Sequence, residues 1–247
     1  MMFVPSSVHH HTNQGSTGTI PSTFGVFCWN VHKKNTVHSD FKPYLQTIMK
    51  EKKVDFLLFQ EANFRNKKHC ILSDFSFDAA ANLEVKGKFY GVLSASRVRS
   101  LEAQAYLSEG RESFIGTYKS LLLSLYPFDD KSKLLILNVH IINFRETRRF
   151  SKELERMVTL MSDHKGPIII AGDFNTWNKK RMQKLNEIRE KLSLERVPFK
   201  QTDKVKSFMG NHLDFIFYKG LELIDYRVYK EHGISDHNPL FATFRKK

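Results

Sequence analysis

Cysteine is scarce in this chain, and long apolar runs are missing. Two cysteines, Cys28 and Cys70, occur among 247 residues, which excludes a disulfide framework as the source of stability. No stretch approaches the roughly 20 consecutive apolar residues that a membrane-spanning helix requires. The N-terminus lacks the basic-then-apolar pattern of a secretory signal. We therefore expect a cytoplasmic protein, and because no dimer seam is visible we expect a monomer.

Acidic residues are also few relative to basic ones. Lys and Arg total 39 against 26 for Asp and Glu, which gives a formal net charge of +13. Such a balance favours an anionic partner such as nucleic acid or an acidic lipid head group. A solvated basic surface without a partner has the same composition, so charge alone does not choose among the three.

The first 23 residues differ in composition from the rest. Residues 1–23 are rich in Ser, Thr, Gly and His without periodicity, which predicts a flexible lead-in. The three histidines at 9–11 are either a metal site or incidental. Residues 24–247 are predicted to form one domain, in which strands alternate with helices early and pair as hairpins later. Helices are expected over 40–53, 147–164 and 179–192, and strands over 24–31, 54–60, 89–95, 113–126, 133–142, 168–171, 213–218, 223–230 and 239–245.

Polar side chains recur at the ends of strongly apolar strands. The motifs are Trp29-Asn30, Gln60-Glu61, Asn138-Val139-His140, Gly172-Asp173-Phe174-Asn175, Leu213-Asp214-Phe215 and Ser235-Asp236-His237. Strand ends of an α/β core are where loops gather into a site. Each residue alone has a structural explanation, such as capping a turn. Together they supply oxygen ligands for a hard metal and the acid, base and hydrogen-bond donors of phosphate chemistry.

In this order, the motifs resemble those of the endonuclease/exonuclease/phosphatase superfamily, the DNase I-like proteins. The resemblance covers about 24–244, and the segments 140–144 and 171–177 are similar more narrowly to a bacterial subgroup, the YafD-like proteins. It implies an α/β (α+β) fold, a four-layer sandwich of two packed mixed β-sheets flanked by helices. It also implies a metal-dependent phosphoesterase.

The resemblance implies a metal site and a hydrolytic centre. Glu61 is the expected principal ligand of Mg²⁺, or of Mn²⁺ in its place, with Asn30 and Asp236 completing the site. Mg²⁺ prefers an octahedral shell with few protein ligands and several waters. Asp173 is expected to orient or deprotonate the attacking water, and Asn175 to hold the phosphoryl oxygen.

Two histidines complete the implied centre. Asp214 is expected to fix the tautomer of His237, which binds the scissile phosphate or transfers a proton. His140 contacts the phosphate or protonates the leaving oxygen. Which of Asp173 and the two histidines is the base stays open. One departure from the pattern is Lys-Gly-Lys at 86–88, where DNase I-like proteins carry a Glu that orients the first histidine.

Four further residues are candidates for substrate binding: Arg111, Lys119, Arg145 and Trp177. Arg111 lies in a segment similar to the Arg-Glu-Pro of the DNases, and Lys119 is either a phosphate ligand or an ordinary surface lysine. Trp177 either stacks on a base or packs under its loop. Basic clusters at 145–149 and 179–181 favour a nuclease acting on DNA or RNA. The alternatives are a phosphatase or phosphodiesterase on inositol phosphates or lipid head groups, and a non-catalytic basic nucleic-acid-binding module.

Overall fold

Strands dominate the structure, a computed structural model that describes residues 8–12, 18–65, 74–108, 118–142, 147–200, 204–208, 210–230 and 233–247. The elements in chain order are β1 (Val8–His11), β2 (Thr23–Asn30), α1 (Phe41–Glu51), β3 (Phe56–Phe64), β4 (Ser76–Val85), β5 (Lys88–Ser96), β6 (Glu102–Leu107), β7 (Ser120–Pro127), β8 (Lys133–His140), α2 (Thr147–Met161), β9 (Ile168–Asp173), α3 (Lys179–Lys191), β10 (Glu195–Arg196), β11 (Ser207–Phe208), β12 (Asn211–His212), β13 (Asp214–Lys219), β14 (Leu221–Val228) and β15 (Leu240–Lys246).

These strands form two large sheets and one short ribbon. The first sheet has the order β1-β4-β5-β3-β2-β15-β14, the second has the order β10-β13-β9-β8-β7-β6, and β11 pairs with β12. Strands β2 and β3 are parallel, as are β8 and β9. The other neighbouring pairs are antiparallel. Both sheets are therefore mixed, as predicted.

Alternation along the central strands gives each sheet an inner and an outer face. In β2, Phe24, Val26 and Cys28 pack between the two sheets, whereas Phe27 and Trp29 pack toward α1. The outer face of the second sheet is covered by α2 and α3, whose apolar side chains join those of β8 and β9 in one cluster. The result is helix, sheet, sheet, helix. The predicted four-layer sandwich is confirmed, and Cys28 is buried in a central strand as expected.

Residues 8–12 and 18–23 are the described parts of the N-terminal segment, which its composition predicts to be a flexible lead-in. Strand β1 pairs with the edge of β4, and Ile20 is buried between the sheets. His10 Nδ1 lies 2.6 Å from a carboxylate oxygen of Asp78, and the ring of His9 packs 4.4 Å from that of Phe89. Pairing at an open sheet edge and burial of Ile20 therefore attach residues 8–11 and Ile20 to the sheets, which composition alone does not reveal.

The sequence pattern also does not predict strands β4 and β6. The segment 76–85 contains three consecutive alanines and few of the β-branched residues that mark strands. Its pairing with β5 builds the strand instead.

Of the predicted strand 113–126, the structure contains β7, and the part from 113 to 117 lies outside the described residues. No helix within the described ranges is long and apolar enough to span a bilayer.

A buried amide pair joins the two sheets. Gln60 Nε2 donates to Asn138 Oδ1 at 2.7 Å, and Asn138 Nδ2 donates to the carbonyl of Leu93 at 3.0 Å. Both amide side chains are fully buried. Gln60 precedes Glu61, and Asn138 lies two residues before His140. The amide pair therefore fixes the relative position of two strand ends that carry motif residues.

We expect Asn138→Leu to lower the free energy of unfolding by about 1–3 kcal/mol, because it removes the 2.7 Å hydrogen bond of the buried Gln60 amide and the bonds that Asn138 donates to the carbonyls of Phe59 and Leu93. Urea denaturation followed by circular dichroism measures the change. Gln183→Leu, which alters an exposed amide on α3, is the control and should stay within about 0.5 kcal/mol of the wild type. Equal stability of the two variants would show that the amide pair contributes nothing.

Candidate active site

The alternation that builds the core also directs the strand-end side chains. Four of them lie on the same face of their strands as the residues that pack between the two sheets: Asn30, His140, Asp173 and Asp214. His140 is the register partner of Asp173 across the parallel pair, and Asp214 is its partner on the antiparallel side. Asp173 therefore lies between the other two in the sheet. All four side chains are buried.

Glu61 reaches the same pocket by a different route. Because Gln60 faces inward, strict alternation would turn Glu61 toward α1. A β-bulge between Phe59 and Ala62 interrupts the pairing with β5, and Glu61 has a φ of +49°. Bulges of this kind re-aim a side chain. The carboxylate accordingly lies 3.8 Å from Nε2 of His140.

Three basic groups surround the Glu61 carboxylate at longer range. Besides His140, Lys33 Nζ lies at 3.9 Å and Lys119 Nζ at 4.0 Å. None of the described residues donates a hydrogen bond to this carboxylate, and its side chain is 23% exposed. Lys119 is itself only 8% exposed, so the prediction of an ordinary surface lysine is wrong.

Hydrogen bonds fix Asp173 from two sides. Its Oδ1 accepts from the backbone amide of Asn175 at 2.9 Å, and its Oδ2 accepts from Nδ2 of Asn30 at 3.1 Å. The same Oδ2 lies 3.7 Å from Nε2 of His140 and 4.0 Å from Nε2 of His237. One carboxylate oxygen therefore points to the space between two imidazoles.

The electrostatic environment raises the pKa of the Asp173 carboxyl to about 7. Burial is the main cause because it disfavours the charged form, and the nearby Asp214 carboxylate acts in the same direction. His237 and the Asn175 amide oppose the shift. A buried carboxyl that titrates near neutrality is suited to exchanging a proton with water at that pH.

The two histidines of the pocket have opposite pKa shifts. Burial lowers the pKa of His237, but the charge and hydrogen bond of Asp214 outweigh burial and the pKa rises to about 9. His237 Nδ1 donates to Asp214 Oδ2 at 2.7 Å. Burial, with the charges of Lys119 and His237, holds the pKa of His140 well below its ordinary value. Near neutral pH the pocket therefore contains one cationic and one neutral imidazole.

The end of β9 and the loop that follows it depend on one glycine. Gly172 has a φ of +143°, and a Cβ built there would lie 1.9 Å from the carbonyl oxygen of Val139. Asn175 adopts a positive φ of +51°, and its Nδ2 donates to the carbonyl of Ile141 at 2.9 Å. The loop is thus anchored to the end of β8, which holds Asp173 beside His140.

Asp236 lies at the rim of the pocket. Its carboxylate accepts from Lys206 Nζ at 2.8 Å and lies 3.1 Å from His32 Nδ1. Partial burial raises the pKa of Asp236, but the hydrogen bonds from Lys206 and His32 hold it well below its usual range. A carboxylate oxygen also lies 3.9 Å from Nε2 of His237.

The sequence matches the model of the endonuclease/exonuclease/phosphatase family over residues 28–237. It belongs to this family. A UPF0294 protein from Vibrio campbellii is 30% identical over 222 residues, which cover 89% of this chain and 76% of that protein. The predicted membership of the DNase I-like superfamily and its bacterial YafD-like subgroup is thereby confirmed.

Solved structures share the family's fold. A mannosyl-6-phosphatase from Bacteroides thetaiotaomicron superposes with a TM-score of 0.63 at 15% identity, covering 90% of this chain and 99% of that one. TDP2 from D. rerio, complexed with a single-stranded DNA product, gives a TM-score of 0.62 at 15% identity, covering 92% and 100%. At such identities the likeness shows the fold alone.

Two groups of side chains offer donors for a metal. Asp173, Asp214 and His237 have ligand atoms within 4.8 Å of one another, but Asp214 and His237 are already bonded to each other. The Glu61 carboxylate accepts no hydrogen bond from a described residue and is partly open to solvent. Such an oxygen donor, with room for water ligands, fits a hard divalent cation. The geometry therefore favours Glu61 over the buried cluster of Asp173, Asp214 and His237 as the metal site.

The predicted substrate-binding residues fall in different places. Trp177 is half-buried, and the guanidinium of Arg181 lies 5.3 Å from its ring. Arg181 is fully buried and donates to the carbonyls of Ile142 and Asn175, both at 2.9 Å. Its prediction as part of a phosphate-tracking cluster is therefore wrong, because the guanidinium supports the loop after β9. Arg111 and Arg145 lie outside the described residues.

The sequence did not point to His32, Lys33 and Lys206 as parts of the site. His32 and Lys33 follow the Trp29-Asn30 motif after one intervening residue, yet their orientation depends on backbone conformations that the letters do not show. His32 has a φ of +45° and Lys33 a φ of +61°. Such values are uncommon for residues other than glycine.

Proposed function

We propose that this family member is a Mg²⁺-dependent phosphodiesterase acting on nucleic acid, either DNA or RNA. The observation that supports it most directly is the position of Asp173. Its carboxylate lies between a neutral and a cationic imidazole, His140 and His237, with the Glu61 carboxylate close to His140. This combination provides an acid, a base and an oxygen ligand around one small space.

Glu61 is the proposed principal ligand of the metal, with Asn30 and Asp236 as its partners. A bound divalent cation neutralises charge on phosphate oxygens and acidifies water. Lys33 Nζ and Lys119 Nζ lie 3.9 and 4.0 Å from oxygens of Glu61. Their charges offset the negative charge that gathers on phosphate oxygens in the transition state.

Asp173 is the proposed base. Its carboxyl, whose pKa is about 7, accepts a proton from water at neutral pH, while the Asn30 amide keeps Oδ2 oriented toward the pocket. Asp214 holds Nδ1 of His237, so the second N–H of that imidazolium points away from Asp214 and is available to the scissile phosphate. Neutral His140 and the Asn175 amide are the proposed further phosphate contacts.

Nucleic acid is the proposed substrate because of charge. The net charge of +13 is accompanied by exposed Arg148 and Arg149 at the start of α2 and exposed Lys179 and Lys180 at the start of α3. Basic side chains near the site provide the sequence-independent part of nucleic-acid binding. A phosphomonoester is the second candidate, because a structural neighbour of comparable TM-score is named a mannosyl-6-phosphatase.

A substrate panel tests this proposal. The purified protein is incubated in Mg²⁺ with plasmid DNA, abasic duplex DNA, RNA, inositol phosphates and sphingomyelin. We expect cleavage of a nucleic acid at a higher kcat/KM than release of phosphate from any monoester. Turnover of monoesters alone would reject the nuclease proposal in favour of a phosphatase.

The charge on His237 predicts a pH dependence. The pKa of about 9 means that the imidazolium persists at neutral pH and is lost as the pH rises through that value. We therefore expect kcat/KM to fall on the alkaline side near pH 9. Asp214→Asn removes the charge that raises this pKa, so the fall should move to lower pH. A pH profile with bis-p-nitrophenyl phosphate measures it, and an unmoved alkaline limb in Asp214→Asn would contradict the role of His237.

A further inference from the structure

A basic groove runs beside the site, on the side of β4 and β5. Its volume is about 490 Å³, and Lys33, Lys34 and Lys88 contribute its cationic groups. The groove is continuous with the site, because Lys33 Nζ lies 3.9 Å from a Glu61 oxygen. Whatever occupies it can therefore be part of the same molecule that reacts at Asp173.

Hydrogen bonds hold the backbone of two residues that line the groove in an unfavourable conformation. His32 and Lys33 are consecutive residues with positive φ. The Lys33 amide donates to the carbonyl of Glu61 at 2.9 Å, and Asn63 Nδ2 donates to the carbonyl of Lys33 at 2.7 Å. Asn63 is in turn fixed by Asn35. Strained backbone persists only where neighbours determine it, and it clusters at ligand sites.

The charges of the groove are left for an anion. The described lining contains no carboxylate, and neither Lys34 nor Lys88 forms an ion pair with a residue that the structure describes. Both therefore add to the positive potential beside Glu61. Such a patch next to a phosphoesterase site suits a second phosphate of the substrate.

Apart from the lysines, His32 and Asn63, the lining is apolar. Leu83, Val85 and the Tyr90 ring form a wall, and Val37 stands at its rim with 62% of its surface exposed. A nucleotide has both an anionic phosphate and an apolar base that stacks on aromatic rings. A polyphosphorylated inositol carries phosphates around its ring and would leave this wall without a partner. The lining therefore favours a nucleotide chain.

We propose that the groove binds the nucleotide next to the scissile phosphate of a single-stranded nucleic acid. Lys34 and Lys88 bind its phosphate, and Tyr90 stacks on its base. This inference rests on the proposed function and extends it, because it assigns single strands as the substrate class and gives the side of the site on which the strand continues.

Fluorescence anisotropy of a 5′-labelled single-stranded oligonucleotide, in EDTA to prevent turnover, tests the groove. We expect Lys34→Gln/Lys88→Gln to weaken binding at least about tenfold, and the plot of log K against log salt to become shallower by about 0.7, since the contact with one phosphate is lost. Lys42→Gln/Lys50→Gln removes the same charge from the exposed face of α1 and should match the wild type. Tyr90→Leu should weaken binding, whereas Tyr90→Phe should preserve it.

Two results would overturn the proposal that the groove binds a nucleotide. One is an equal loss in both double variants, which would make the effect one of net charge. The other is a larger loss of inositol hexakisphosphate binding than of oligonucleotide binding in Lys34→Gln/Lys88→Gln. The proposed function is tested separately, because it requires turnover in Mg²⁺. A protein that binds the strand through Lys34 and Lys88 but cleaves no ester would support the proposed nucleotide groove and contradict the proposed enzymatic function.

Discussion

Glu61→Gln is expected to lower kcat/KM for bis-p-nitrophenyl phosphate at least about 10³-fold, since a metal contributes several kcal/mol of charge stabilisation. The side chain stays the same size, and the bulge that directs it into the pocket is unchanged. The expected defect is weaker binding of Mg²⁺, which calorimetric titration of the metal measures alongside the rate.

The control for this variant is Glu187→Gln, which neutralises an exposed carboxylate on α3 and should leave the rate unchanged. Circular dichroism establishes that both variants fold. If Glu61→Gln retained more than about a tenth of the wild-type kcat/KM, the loss would be under about 1.4 kcal/mol and Glu61 would not be the principal ligand.

His237→Ala is expected to lower kcat/KM about 10²–10³-fold, the usual effect of removing a donor aimed at the transition-state charge. The imidazolium is held by Asp214 and faces Asp173, so its loss removes a positive charge beside the reacting phosphate. The measurement is the rate with bis-p-nitrophenyl phosphate in saturating Mg²⁺.

Removing His237 also leaves the buried Asp214 carboxylate without its partner, which costs stability. The double variant Asp214→Asn/His237→Ala removes that charge and should recover stability while remaining as inactive as His237→Ala. Two residues that act as one unit give non-additive losses. A double variant that lost the product of the two single effects would show that the residues act independently.

The sequence predicted the site residues that lie at the ends of uninterrupted apolar strands. The apolar runs of β2, β8, β9 and β13 end or begin in a polar residue in the letters themselves, so Asn30, His140, Asp173 and Asp214 could be assigned to strand ends. The four-layer arrangement was implied by the resemblance to the DNase I-like proteins. An apolar run is enough to locate a strand where nothing interrupts it.

Where tertiary contacts override periodicity, the sequence was silent or misleading. The bulge that turns Glu61 inward depends on the pairing of β3 with β5. The strained backbone of His32 and Lys33 depends on hydrogen bonds from residues about 30 positions away. Arg181 seemed a surface cation, yet two carbonyls and the Trp177 ring accommodate its guanidinium in the interior. Each case requires knowledge of a distant partner.

The most direct test of the central claim is hydrolysis of bis-p-nitrophenyl phosphate by the purified protein, in EDTA and then after addition of Mg²⁺. We expect no release of p-nitrophenol in EDTA and steady release in Mg²⁺. Tight, salt-sensitive binding of nucleic acid with no release in either condition would contradict the proposed metal-dependent hydrolysis and identify a basic binding module that does not catalyse.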